Sequence, residues 1–502
     1  MGGQGVEQRM NILREAADQQ LLKPFRTHGW DAFVSSEDTS GEYLIVEARK
    51  AAATRRVALL YTSATDNRHY KALDAAVDHI FTNGALYHIE SFTHGIAKPV
   101  TPIGEFFPVL VAWNKELAPD PHIPLPPARA HRVRHITGEN PLAGIWSRLD
   151  QFSSVTLAEK LIKRRVTEES SVLTPDAIRK KAEGVGFAMR SASDYFRGMP
   201  FESLNRRILT LYYGSMALAF AEMLASPHGP ADLDEVEGMT KYGHGLYVLA
   251  SGTGDFGGLS VGVIASGFFP RWAAFLGHDT GTYPKEKAES PSDLEKKPAG
   301  TLTSMRELLG ALPELGDLFL EVFQTAPSWM VPVFNLEENT AGSGFGHMGK
   351  MESTYIHLLD ASGRISKAQI DAAGWPMKEI TSVTAGTEGG NAYRARVDHA
   401  GRAFWNEVLP LHHSPFKNAP TLILPVIGGM SEFRTIAVIT LYALSILVRY
   451  MPSAWRRVEG GDWDEHLSLV KSALGVFERL LPEQFLESIT GERIHASQPG
   501  GF

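Results

Sequence analysis

Residues 117–129, LAPDPHIPLPPAR, hold five prolines in thirteen positions. Proline removes a backbone N–H donor and disfavours helix at the residue before it, so neither a regular helix nor a central strand can run through this segment. It reads as a stiff linker that divides the chain into a small N-terminal part and a larger C-terminal one. At 502 residues the chain exceeds what one core ordinarily organises, and two to four domains are expected.

Ahead of the linker the hydrophobic periods give an order α-β-β-β-α-β-β. Residues 6–23 place Met10, Leu13, Ala17 and Leu21 on one face of an amphipathic helix. WDAFVSS and EYLIVEARK, split by the turn-like EDTSG, read as a hairpin, and RRVALLYTS as a third strand. HYKALDAAVDHIF from His69 reads as a helix; ALYHIESF from Ala85 and FFPVLVAW from Phe106 read as further strands. Together they predict a small α/β domain over 1–116.

After the linker and a connecting segment (117–170) the pattern turns helical over 171–329. LTPDAIRKKAEGVGFAMRSASDYF offers Thr174 as a cap with Pro175 at the first helical position. RRILTLYYGSMALAFAEML is apolar enough to require burial. KEKAESPSDLEKKPAG (285–300) reads as a surface loop, and 330–420, rich in Gly, Thr and short alternating runs, as a β-rich insertion. Helix returns over 421–502. Thr435–Val448 carries no charge and lies between Arg434 and Arg449; it is short for a bilayer and predicts a buried helix. The expected fold class is α+β.

Composition removes several chemistries. The absence of cysteine excludes disulfides, thiolate metal sites and a cysteine nucleophile. A net charge of -8 gives no global attraction to nucleic acid, so an anion-binding surface would have to be local. MGGQGVEQRM lacks the apolar core of a signal peptide, which gives the expectation of a cytoplasmic protein with no membrane contact.

LYYGSMALAFAEML (211–224) followed by YGHGL (242–246), then LTSMRELLGALPEL (302–315), then ILPVIGGMSEF and ITLYALSILVRYMPSAW (439–455), resemble in order the blocks of the YaaC-like family over roughly 185–330 and 420–490. The resemblance implies a mostly helical fold and brings no agreed active site; a homo-oligomer or a partner protein held through the helical region is a separate expectation. The Tyr-Tyr-Gly helix is also similar to HEPN domains, many of which are RNases with an Arg-x4–6-His motif. No His follows Arg449 at that spacing, so Arg449, Tyr450 and Trp455 are assigned to helix ending and packing, and His244 to a turn between glycines.

The helix–three strands–helix–strand order of the N-terminal part resembles the restriction-endonuclease-like core of PD-(D/E)xK nucleases. That resemblance implies two carboxylates on adjacent strands holding Mg²⁺ (or Mn²⁺) and a basic residue beside the attacking water. The matching positions are Asp31, opening the first strand, and Glu47, ending the second, with Glu15 as a further acid. Glu47 and Arg49 share a strand face, and Lys50 points to the opposite one. Arg49 stands where the family carries Lys and cannot act as a base, but it can stabilise phosphate charge. Arg49, Lys50, Arg55, Arg56, Arg68 and Lys71 form a basic run suited to a phosphate-binding cleft. The expectation is a metal-dependent nuclease acting on DNA, an effector in a bacterial defence system, with Asp31, Glu47, Arg49 and Lys50 as site residues and Asp31 and Glu47 as metal ligands. The alternative is a non-catalytic nucleic-acid- or protein-binding or assembly module. GFGHMGK (344–350) has three P-loop positions, but Met351 replaces the Ser/Thr, and it reads as a hairpin loop.

Overall fold

A computed structural model describes residues 3–50, 53–62, 64–84, 89–117, 132–197, 202–250, 254–335, 353–383, 390–399, 402 and 404–499. The proline-dense segment and GFGHMGK lie outside the described residues, apart from Leu117. The chain forms two compact units, Met1–Pro127 and Ala128–Phe502, and its fold class is α+β.

In the smaller unit, helix α1 (Gly3–Ala17) runs through a π-helical turn at Asp18–Leu22 into α2 (Lys23–Thr27). Strands β1 (Asp31–Glu37), β2 (Tyr43–Lys50) and β3 (Ala53–Leu60) form an antiparallel meander. Helix α3 (Asn67–Asp74) then crosses to β4 (His79–Thr82), parallel to β3, and β5 (Val100–Pro102) pairs parallel to β4. The expected hairpin is present: Asp31 lies opposite Arg49 and Phe33 opposite Glu47.

Three parts of the sequence reading are corrected. HYKALDAAVDHIF is helical only as far as Asp74, and its last residues, from His79, lie in β4. Phe106–Leu117 is a helix, α4, not a strand: Phe106, Leu110 and Trp113 fall at helical spacing and are buried, while Phe107 is exposed. The last strand is Val100–Pro102; of ALYHIESF, Ala85–His88 lie outside the described residues and Ile89–Ser91 form a 3₁₀ turn.

Alternation along the strands divides two apolar clusters. Leu44, Val46, Ala48, Val57 and Leu59 join Leu13, Phe25, Phe106 and Trp113 on the face covered by α1, α2 and α4. Ala58, Leu60 and Ile80 join Tyr70 and Leu73 of α3 on the other. His79 on β4 stacks on Phe81 at 4.3 Å, and burial lowers its pKa to about 4. An unfolded His79 takes its proton near the ordinary 6.5, whereas the folded one resists until about 4. Its stabilising contribution is therefore present above pH 6.5 and lost as pH falls towards 4, by about 3 kcal/mol. Calorimetry across that window should show this loss, and His79→Gln should flatten it.

The larger unit opens with β6 (Val133–Thr137), α5 (Pro141–Gln151), α6 (Val155–Glu168), α7 (Pro175–Arg197) and α8 (Leu204–Ala225). Thr174 Oγ1 accepts from the Ala177 N–H, so the expected cap is in place. Strands β7 (Leu246–Ala250), β8 (Leu259–Val263) and β9 (Leu302–Ser304) make a small sheet. The β-rich insertion is a six-stranded sheet built from β10 (Trp329–Phe334), β11 (Ser353–Asp360), β12 (Met377–Val383), β13 (Asn391–Asp398), β14 (Leu411–His412) and β15 (Thr421–Ile423). Its order is β12-β13-β11-β10-β15-β14. Helix α9 (Phe433–Tyr450), then α10 (His466–Thr490) and β16 (Arg493–Ser497) complete the unit, β16 pairing parallel to β6. Helices α8 and α9 are long and apolar enough to cross a membrane, yet 72% of each apolar window is buried against the rest of the fold. Segment 285–300 carries a short helix, Pro291–Leu294, between irregular stretches.

Candidate functional site

Ile45, Glu47 and Arg49 follow one another on the α3 face of β2. Helix α3 covers that face beside Ile45 and ends at Asp74, so the sheet beyond it is open. There a polar cleft of about 580 Å³ is lined by Glu47, Arg49 and Arg56 together with Thr54, Asp78 and Lys98.

Glu47 is the organising residue. Its carboxylate is 7% exposed, whereas the side chains of Arg49 and Arg56 are 58% and 55% exposed. Arg49 donates from Nε (2.8 Å) and Nη2 (2.5 Å) to Oε1, and Arg56 donates from Nε (2.9 Å) to Oε2. Strand pairing makes this possible, because Glu47 lies directly opposite Arg56 on β3. The hydrogen bonds from Arg49, then Arg56, hold the Glu47 carboxyl below the usual carboxylate range. Asp78 is committed elsewhere: its Oδ2 accepts from the Arg56 backbone N–H at 2.8 Å. Among the described residues, Arg49 Nη1 and Arg56 Nη1 and Nη2 carry no such bond, which leaves two fixed guanidinium groups presenting donors to solvent.

Of the four residues singled out in the sequence, two line the cleft, and the register sets Asp31 opposite one of them, Arg49. Glu47 and Arg49 line the cleft; Asp31 is exposed on the edge strand and is not among the lining residues. Lys50 is on the opposite face, as alternation requires, donating to the His28 carbonyl and to Asn114 Oδ1, each at 2.8 Å. Glu15 is exposed on α1. Both oxygens of Glu47 already accept from guanidinium groups, bonds that a bound Mg²⁺ or Mn²⁺ would have to displace or share. Among the described residues no group of three or more His, Asp or Glu could hold a metal ion. Asp78 and Lys98 were missed by sequence reading; Asp78 reaches the cleft at the end of the crossover from β3 to β4 and Lys98 at the end of the connection from β4 to β5, and neither leaves a local signal.

In the larger unit, three of the distinctive stretches meet. Tyr212 Oη and His244 Nδ1 are hydrogen-bonded at 2.8 Å, and Tyr442 donates to the Leu246 carbonyl at 2.6 Å. Arg449 donates to the Ser445 carbonyl and to Tyr213 Oη, ending α9 as expected. His244 lies between Gly243 and Gly245, both at positive φ, which glycine adopts without strain. Gly214 allows α7 to approach α8: a Cβ there would be 2.7 Å from the Phe196 ring. Burial, then the Arg449 charge, lowers the His244 pKa. These contacts account for the residues as packing and helix-ending devices.

A family model described as YaaC-like Protein matches residues 150–489. No curated protein and no solved structure matches the chain.

Proposed function

The chain belongs to the YaaC-like family, and from that premise we propose that its N-terminal unit, which lies outside the matched region, is a non-catalytic module that binds nucleic-acid phosphates. In this reading the family region serves assembly or partner contacts. One observation carries the proposal: a single buried carboxylate, Glu47, fixes the forks of Arg49 and Arg56 at the floor of an open cleft. Guanidinium forks held in place lose little freedom when they meet a phosphate, and bidentate contact then supplies both affinity and orientation. Lys98 adds a third cation to the lining. The local surplus is what an otherwise acidic chain needs for such contact.

The test is fluorescence anisotropy of a labelled DNA duplex with the full chain, in EDTA and low salt. Wild type should bind, and the Arg49→Ala/Arg56→Ala double variant should bind at least roughly tenfold more weakly, each phosphate contact by a charged donor contributing about 1.5 kcal/mol or more. Affinity should also fall steeply as salt is raised, since phosphate contacts release counterions. Equal binding by wild type and the double variant would remove the cleft from the account.

A further inference from the structure

The larger unit holds a second cavity, of about 260 Å³, where the start and the end of that unit meet. Four cationic side chains line it: Arg134 from β6, Arg148 from α5, and Lys160 and Arg164 from α6. Lys160 and Arg164 are one helical turn apart and share a face. Glu492 is the sole carboxylate among the lining residues, and it is buried.

Glu492 is already committed. Gly491, at φ 68°, ends α10 in the left-handed conformation and turns the chain so that Glu492 enters the cavity. Its Oε2 accepts from Arg134 Nε at 2.5 Å, and its Oε1 accepts from Arg134 Nη2 at 3.1 Å and Arg164 Nη1 at 2.6 Å. Arg164 Nη2 donates to the Thr490 carbonyl at 2.6 Å. Arg148 and Lys160 have no hydrogen bond or ion pair among the described residues. The cavity therefore keeps two cations without a hydrogen-bonding or ion-pair partner among the described residues, beside a wall formed by Phe152, Leu157 and Leu161.

We propose that this cavity binds a phosphomonoester with a small apolar or planar body. A phosphomonoester carries about −1.5 to −2 charges near neutrality and so matches Arg148 and Lys160 together, whereas a carboxylate would leave one of them uncompensated. Its three terminal oxygens can accept from both side chains at once. The apolar wall takes the body, and the volume lies just under the range usual for drug-sized ligands, which limits the body to about one ring. The arrangement is a local exception in a chain of net charge -8, and a general basic surface does not produce it. It is independent of the N-terminal cleft, which lies in the other unit.

Calorimetric titration of the full chain with phenyl phosphate, inorganic phosphate and benzoate tests the proposal. Phenyl phosphate should bind more tightly than either of the others. Lys160→Gln, at an exposed position, should weaken it roughly tenfold, and Arg148→Gln/Lys160→Gln should weaken it further, with unchanged circular dichroism and melting. Arg49→Ala/Arg56→Ala should leave phenyl phosphate binding as it is. Any of three results would overturn the assignment: no binding of phenyl phosphate by folded wild type, equal binding by wild type and the Arg148/Lys160 double variant, or benzoate or inorganic phosphate binding as tightly as phenyl phosphate.

Discussion

Leu444→Asp should abolish soluble expression of the chain. Leu444 is fully buried on α9, whose residues from Thr435 to Ser445 are all buried. A carboxylate introduced there meets Leu, Ile and Tyr side chains of the largest apolar cluster. An ionised group with no partner in such surroundings costs several kcal/mol, and protonation to avoid the charge still leaves an unsatisfied polar group. Native stabilities are about 5–15 kcal/mol, so the substitution removes most of the margin. Expression with fractionation checks this; a soluble variant melting like wild type would place α9 at the periphery of the unit.

Glu222→Ala should be nearly as damaging, for a different reason. Glu222 on α8 is 3% exposed; its Oε1 lies 2.9 Å from Arg434 Nη2 in an ion pair, and its Oε2 accepts from Trp272 Nε1 (2.9 Å). Truncation leaves the Arg434 guanidinium, itself only 20% exposed, without its carboxylate. Breaking a buried pair from one side costs about 3–5 kcal/mol when the remaining charge has no other partner; the Glu432 and Glu487 charges that Arg434 also feels place this case at the lower end. Glu222→Gln keeps an acceptor for Trp272 and should lose less. Denaturant midpoints of the three proteins measure the difference, and an Ala variant as stable as wild type would show that the pair contributes nothing.

The features legible in the sequence are those fixed by local rules. EDTSG between two alternating runs gave the β1–β2 hairpin, and an uncharged run bounded by arginines gave α9. Thr174-Pro175 gave the start of α7. FFPVLVAW was misread because eight apolar residues satisfy a strand and a helix alike, and only the burial of Phe106, Leu110 and Trp113 against exposed Phe107 separates the two. The site was half legible. That Glu47 and Arg49 share a face follows from alternation, and that Lys50 does not follows from the same rule. That Glu47 is shared between Arg49 and Arg56 follows from the register of β2 against β3, which a sequence without its turn geometry does not specify. The second cavity had no local signal at all, since Arg134 and Glu492 meet through the parallel pairing of β6 with β16.

Under the proposed function, Glu47 orients Arg49 and Arg56 towards phosphate instead of holding a metal. The measurement that reaches it most directly is the fate of a labelled DNA duplex incubated with wild type, Glu47→Gln and Arg49→Ala/Arg56→Ala, in EDTA and in Mg²⁺ or Mn²⁺, with binding and strand integrity read from the same samples. A buried Glu47 that serves the arginines predicts binding by wild type in EDTA as well as in metal, weaker binding by both variants, and intact strands throughout. Strand cleavage by wild type that requires Mg²⁺ or Mn²⁺ and disappears in Glu47→Gln would contradict it and make Glu47 a metal ligand.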